Sequence, residues 1–474
     1  LSVNELGLPT EFGLKGTDGN APGCPIRDFA MVAPLTLARA SALVDRANYR
    51  TPGLETFAVN RRIELNANET TDIGRELNAT NWPSGTLVVV SGQGSATMTP
   101  IEVKNKSLRI EFNHTGDSPL VMGPQKSTTM KDDEAMFIVE NGSLEVIDGH
   151  FRFPNTATAP MPAYFLSAYD SDFLLRRCQI TGQMLDGNSN YQGLIRWKRS
   201  SVEPRDLESP AERNVGLIID SALLTTGKLM DADLRNRTLL LRNSLFASVG
   251  DLFDLSVQGF DKRISGVLDA RWCTFAAAGS FLFQVRGTKA AEQTTQPLSV
   301  FMEHSVLLPL TELSGTSNSP VLLSIREESL QRSQVAWWDF GNGYASPWTQ
   351  FVRSADTPAT GPQSFDQKWR ALWGHEQVVN PLTDNDGVRL AGKLPRRAQL
   401  TSRDFHLANN CPAATWGPNQ TPLGVDFDRW SATLSSSRGV TAPRATKGSS
   451  SQGTPKGTSP RPSTKPSNAA PPKF

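Results

Sequence analysis

Six residues in the middle of the chain stand in a common frame. Asp148, Arg177, Asp220, Asn243, Trp272 and His304 each come immediately before a small residue, at Gly149, Cys178, Ser221, Ser244, Cys273 and Ser305. If that frame is structural, the six stack along one stripe of surface at about 4.8 Å per step. A carboxylate beside a guanidinium (Asp148, Arg177), and a carboxylate two steps from an indole (Asp220, Trp272), resemble a groove for sugar chains. Eliminative cleavage of an acidic polysaccharide takes clustered acidic Ca²⁺ ligands and a base. Hydrolysis takes paired carboxylates at a set separation. An alternating stripe of charge is also what a solvated face of a repeat protein shows, and that plain role is the one we expect.

The second candidate is AWWDFGNGY, 336–344. On a strand, Trp337 and Trp338 face opposite ways, so one is expected to be buried and the other exposed. The exposed indole would adjoin Asn342 and Tyr344, with Trp369 close by. Stacking plus amide hydrogen bonds is how sugars are held, and this is the expected ligand site. The competing reading is contact with a covering helix that carries Trp369 and Trp373. A third candidate is the charged insertion WKRSSVEPRDLESPAERN, 197–214, which must leave the wall as a surface loop suited to a protein partner.

Something must position these residues, and the sequence repeats. The small residues recur at steps of 29, 43, 23, 29 and 32, a mean of about 31. Two positions after them come Phe151, Ile180, Leu223, Phe246, Phe275 and Leu307. Three positions before them come Val146, Leu175, Ile218, Leu241, Ala270 and Met302. Phe246 and Phe275 each have a glycine four residues on, Gly250 and Gly279. The runs between are short, partly alternating and bounded by Gly, Asn, Asp and Ser, which reads as strand. A unit of two or three short strands cannot bury its own face and must stack on its neighbours. An all-β, right-handed parallel β-helix of eight to ten coils is therefore expected, in preference to an antiparallel sandwich.

The ends of such a stack need covers. An amphipathic helix near 34–47 and a second at 364–374 are expected to supply them. That divides the chain into a poorly ordered leader, 1–33, a β-helix domain, 34–430, and a tail, 431–474. The tail carries seven basic residues and no acid, so a net charge of +1 divides into +7 there and −6 over the body. It is rich in Ser, Thr and Pro and is expected to be disordered. The four cysteines show no metal-binding spacing. Cys178 and Cys273 fall in the inward column, three coils apart, and should be free buried thiols. Neither metal nor cofactor is expected. No apolar run reaches a membrane-spanning length, and no nucleic-acid partner or oligomer is expected.

The pattern MFIVENGSLEV…HF at 136–151, AWWDFGNGY, the Trp-bearing helix and PLGVDFD at 422–428 resemble the right-handed β-helix (pectin-lyase-like) regions of planctomycete-type proteins. The resemblance covers about residues 30 to 430. It implies an extracytoplasmic region, in some of those proteins attached to a serine/threonine kinase domain. This chain carries no kinase signature itself. The GHG and RIK-type signatures of polygalacturonases are absent around Asp148 and His150. The expected function is a non-catalytic extracytoplasmic scaffold or binding region, the sensor part of a larger membrane protein, meeting polysaccharide or a protein at the cell surface. The alternative is a polysaccharide lyase or glycoside hydrolase acting on acidic polysaccharide.

Overall fold

The computed structural model describes Ser2–Val3, Pro9–Glu11 and residues 57–430, less 115–117, 126–134, 156–160, 185–189, 201–213, 258–265, 287–297, 314–320, 326–334, 347, 349, 355–368, 370–371, 374–377, 384–385, 397–398 and 429. The expected helix at 34–47, the tail at 431–474 and most of the 197–214 loop lie outside the described residues.

Three parallel sheets hold most of the described strands. Sheet I has eleven strands, from Arg61–Ala67 to Val378–Val379. Sheet II has nine, from Gly94–Met98 to Gly343–Tyr344, and sheet III has nine, from Ile101–Lys104 to Gln350–Ser354. Sheet I begins with two successive strands, Arg61–Ala67 and Thr86–Gly92; from the second of these on, each sheet takes every third strand in chain order, so the chain passes from sheet I to II to III and returns one coil further on. The molecule is a parallel β-helix, as the repeat implies.

The columns pair as the sequence aligns them. Phe246 lies opposite Phe275 and Leu223, and Leu241 opposite Ala270 and Ile218. The Phe246 and Phe275 rings stack 5.3 Å apart inside the coil. Their glycines meet as well: Gly279 N–H donates to Gly250 O, and a Cβ on Gly279 would lie 2.4 Å from the Gly250 carbonyl carbon.

The small column marks the turn from sheet I to sheet II. The residue before each small one is left-handed: Asp148, Arg177, Asp220, Asn243, Trp272 and His304 have φ between 42° and 59°. A second left-handed column, Asn105, Asn141, Asp170 and Asn236, turns sheet III into sheet I, where Asn and Asp bear that conformation best. The serines of the small column satisfy backbone donors that the turn would leave buried and unpaired. Ser221 Oγ accepts from Cys178 N, Ser244 Oγ from Ser221 N, and Ser305 Oγ from Cys273 N, at 3.0–3.1 Å.

The main core fills the coil interior. A second core lies on the outer face of sheet II. Along one outward row of that sheet the residues run Ser95, Val121, His150, Gln179, and then Ala222, Leu245, Thr274, Val306. The row changes from mainly polar to mainly apolar at Ala222. The C-terminal segment folds back over the apolar half, burying Val388, Phe405, Cys411, Leu423 and Val425 there. It then crosses the turns coil by coil. Gly424 N donates to His304 O, Val425 N to Thr274 Oγ1 and Asp426 N to Asn243 Oδ1.

The N-terminal end is covered by a helix the sequence reading does not predict, Ile73–Asn78. Asp72 caps it and Ile73 and Leu77 are buried against the core. Of 364–374, Trp369, Leu372 and Trp373 are described as helical. Trp369 and Trp373 are buried against Trp337, while Leu372 is exposed. No described helix is long and apolar enough to cross a membrane. Cys178 and Cys273 are free and buried, as expected, and burial pushes both thiols up to about 12.

Candidate functional site

The structure does not form the expected site at 336–344. Trp337, Trp338, Asn342, Tyr344 and Trp369 are all buried, each at most 2% exposed. The two tryptophans do face opposite ways, but both ways are covered. Trp337 points into the coil, against Phe283, Trp369 and Trp373. Trp338 lies on the outer face of sheet I, stacked 4.6 Å from Phe301 within a satellite apolar cluster. Tyr344 continues the inward Phe246–Phe275–Leu307 column.

Asn342 occupies the small column of the last full coil, with Gly341 (φ 61°) as its left-handed neighbour. Its Oδ1 accepts from Ser305 N at 2.7 Å, the task serine hydroxyls perform on other coils. Its Nδ2 donates to Met302 O and to Asp339 Oδ1. Asp339 points inward, opposite Met302, and also accepts from Tyr344 Oη and Trp369 Nε1. These residues form the end of the core rather than a ligand surface. "GNG" reads as a strand break, but its polar groups close on one another.

The stripe is stacked as expected, in closed groups. Arg177 holds Asp148 through Nε at 2.5 Å and Nη2 at 2.6 Å. Asn243 Nδ2 donates to Asp220 Oδ1 at 2.7 Å, and both are buried, because Asp426 and Trp430 of the C-terminal segment also bond to Asn243. That pair is not surface. The Trp272 and His304 rings meet at a tilt, centroids 4.7 Å apart, and remain partly open.

That last pair adjoins a cleft of about 780 Å³. Its coil-side lining is Phe301, Glu303, His304, Phe340, Val379 and Asn380, and its other wall is Trp416–Pro418 of the C-terminal segment. Trp416 is 44% exposed, and Asn380 O fixes its indole by accepting from Nε1 at 3.2 Å. Trp272 supports that wall from beneath: a Cβ on Gly417 would lie 3.1 Å from its ring. The His304 pKa is lowered by burial, and Nδ1 is buried without a hydrogen-bond partner. Arg271 Nε lies 3.2 Å from Glu303.

Of the stripe, His304 lines the cleft and Trp272 props its wall; Asp148, Arg177 and Asp220 lie on earlier coils. Trp416 was missed. Its signal was TWGPNQT, 415–421, an indole beside Gly and Pro in a segment with no strand pattern. Exposure there could not be read without knowing that the segment folds back. A second depression, about 840 Å³, lies on the polar half of sheet II beside Asp72, Arg75, Thr97 and Arg152. Among the described residues no group of three or more His, Cys, Asp or Glu is placed to hold a metal ion.

No protein-family model matches the chain, and no curated protein matches it either. Among solved structures it is similar to a PL6 family alginate lyase, AlyGC, at 12% identity and a TM-score of 0.31. That match covers 69% of this chain and 40% of the lyase chain.

Proposed function

We propose that this chain is a non-catalytic, extracytoplasmic β-helix scaffold that binds saccharide in the cleft between its C-terminal coils and its folded-back C-terminal segment. The observation that carries the reading is Trp416: a large aromatic, held through its indole N–H and 44% exposed. An indole immobilised in this way stacks on a sugar ring at little entropic cost, and the neighbouring Glu303 and Asn380 can bond to hydroxyls. The scaffold part of the reading is supported by the stripe. Asp148, Arg177, Asp220 and Asn243 are engaged in turn-holding pairs, which leaves them poor candidates for proton transfer. A place within a larger membrane-anchored sensor, such as a kinase receptor, is the setting proposed for it.

The test is a panel of immobilised glycans probed with the full chain and with Trp416→Ala. Binding that the substitution abolishes supports the reading. Turnover of uronic-acid polymers in the presence of Ca²⁺ would overturn the non-catalytic part, and binding indifferent to Trp416 would overturn the site.

A further inference from the structure

The charges around the cleft bear on which sugars it admits. Resting on the reading of the cleft as a saccharide site, we infer that it takes uncharged sugar units and discriminates against uronic acids. Among the described residues that line it, Glu303 is the one carboxylate and none is Arg or Lys. The arginines joined to Glu303 on the outer face of sheet I are already engaged with carboxylates. Arg242 Nη2 lies 2.9 Å from Asp269, and Arg271 Nε lies 3.5 Å from Asp269 and 3.2 Å from Glu303. This run of Arg242, Asp269, Arg271 and Glu303 holds two charges of each sign. It sits on the outer face of sheet I, where Arg242 is opposite Arg271 and Arg271 opposite Glu303.

A uronate carboxylate entering the cleft would shed water without gaining a free cation, and would meet the Glu303 carboxylate across the site. His304 does not compensate, because burial favours its neutral form. A neutral ring meets no such penalty. Its hydroxyls can donate to Glu303 and to backbone carbonyls, and its apolar face can lie on Trp416.

The experiment is calorimetric titration of the full chain at pH 7 and low salt. The neutral probes are cellohexaose, xylohexaose and chitohexaose, and the charged ones hexagalacturonate and hexaguluronate. The expected result is binding of at least one neutral probe, weakened roughly tenfold to a hundredfold by Trp416→Ala. Uronate binding is expected to be at least about tenfold weaker, the size of a modest like-charge penalty. Glu303→Gln should shrink that gap by raising uronate affinity, because it removes the repelling charge and leaves a net positive run. Trp416-dependent uronate binding as tight as the neutral probes overturns this inference and leaves the saccharide cleft standing. No Trp416-dependent binding in either series overturns both.

Discussion

Arg177 grips Asp148 from the next coil through two guanidinium nitrogens, and the two side chains are 14% and 16% exposed. Both residues are left-handed, at φ 52° and 59°, so the pair joins two strained turns one above the other. The hydrogen bonds that Arg177 donates to Asp148 raise its pKa and outweigh burial, which alone would lower it. A double-mutant cycle with Asp148→Asn and Arg177→Gln should give a coupling of about 1 kcal/mol, near the top of the range for exposed pairs. Additive effects in thermal or urea unfolding would show that the bidentate geometry stabilises nothing.

Phe246 is fully buried between Leu223 and Phe275 and touches Phe253 from sheet III. Phe246→Ala should destabilise the chain by about 3–5 kcal/mol through lost transfer energy and a cavity. Phe246→Asp should prevent folding, because its carboxylate would be buried without a cation. The check is circular dichroism with urea titration. A Phe246→Asp protein that melts like the parent would mean that this column does not face the coil interior.

Stability should fall as the pH drops through the histidine range. His150 lies edge-to-face against His114, ring centroids 4.8 Å apart, and its pKa is pushed down to about 4, chiefly by burial and then by His114. Asp148 opposes that shift and does not cancel it. The His114 ring is tied on both sides: Leu120 N donates to Nδ1, and Nε2 pairs with Asp148 O. The unfolded chain takes up a proton at His150 below about pH 6.5, whereas the folded chain resists until about pH 4. Acid therefore favours unfolding across that window, by at most about 3 kcal/mol when complete. His304, lowered by burial, adds a contribution of the same sign. Unfolding free energies measured from pH 7 to pH 4 should decline less steeply for His150→Gln than for the parent. Parallel profiles would remove His150 as the cause.

The coil architecture was legible because stacking forces chemistry into register. A residue type repeated in one inward place, such as Phe246 with Phe275 or Ser221 with Ser244, is visible without coordinates. The turn column was visible too, although its left-handed backbone was not: Arg177, Trp272 and His304 are not residues that announce a positive φ. The site at 336–344 failed for a specific reason. Alternation along a strand predicts opposite faces, not exposure, and the outer face of sheet I is itself covered at Trp338. The fold-back was written in sheet II. ALLT, LFAS, TFAA and VLLP are apolar on both faces, which a one-sided wall does not need, whereas HFR and QIT are polar outside. A doubly apolar strand calls for a second cover, and that cover carries Trp416.

That cover is pinned to the coil at the Asn243 turn. Besides its coil-to-coil bond from N to Arg271 O, Asn243 makes three contacts at one turn: Nδ2 to Asp220, Oδ1 from Asp426 N, and its backbone carbonyl from the Trp430 indole. Its φ of 42° means that a side-chain change alone also disturbs the backbone preference. Asn243→Gly separates the two, since glycine keeps the left-handed turn and loses the amide. It leaves the Trp430 bond to the backbone in place while orphaning Asp426 N–H and freeing Asp220. The expected outcome is local: faster amide exchange at Val425 and Asp426, with exchange in the coil interior at Leu241 and Phe246 unchanged. Asn243→Ala should show the same loosening plus about 1 kcal/mol of global destabilisation from the strained φ. Hydrogen exchange followed by mass spectrometry reads both. If Asn243→Gly leaves exchange in 422–428 untouched, the apolar face of sheet II alone holds the segment. The cleft wall at Trp416 would then rest on Phe405, Leu423 and Val425 rather than on the turn ridge.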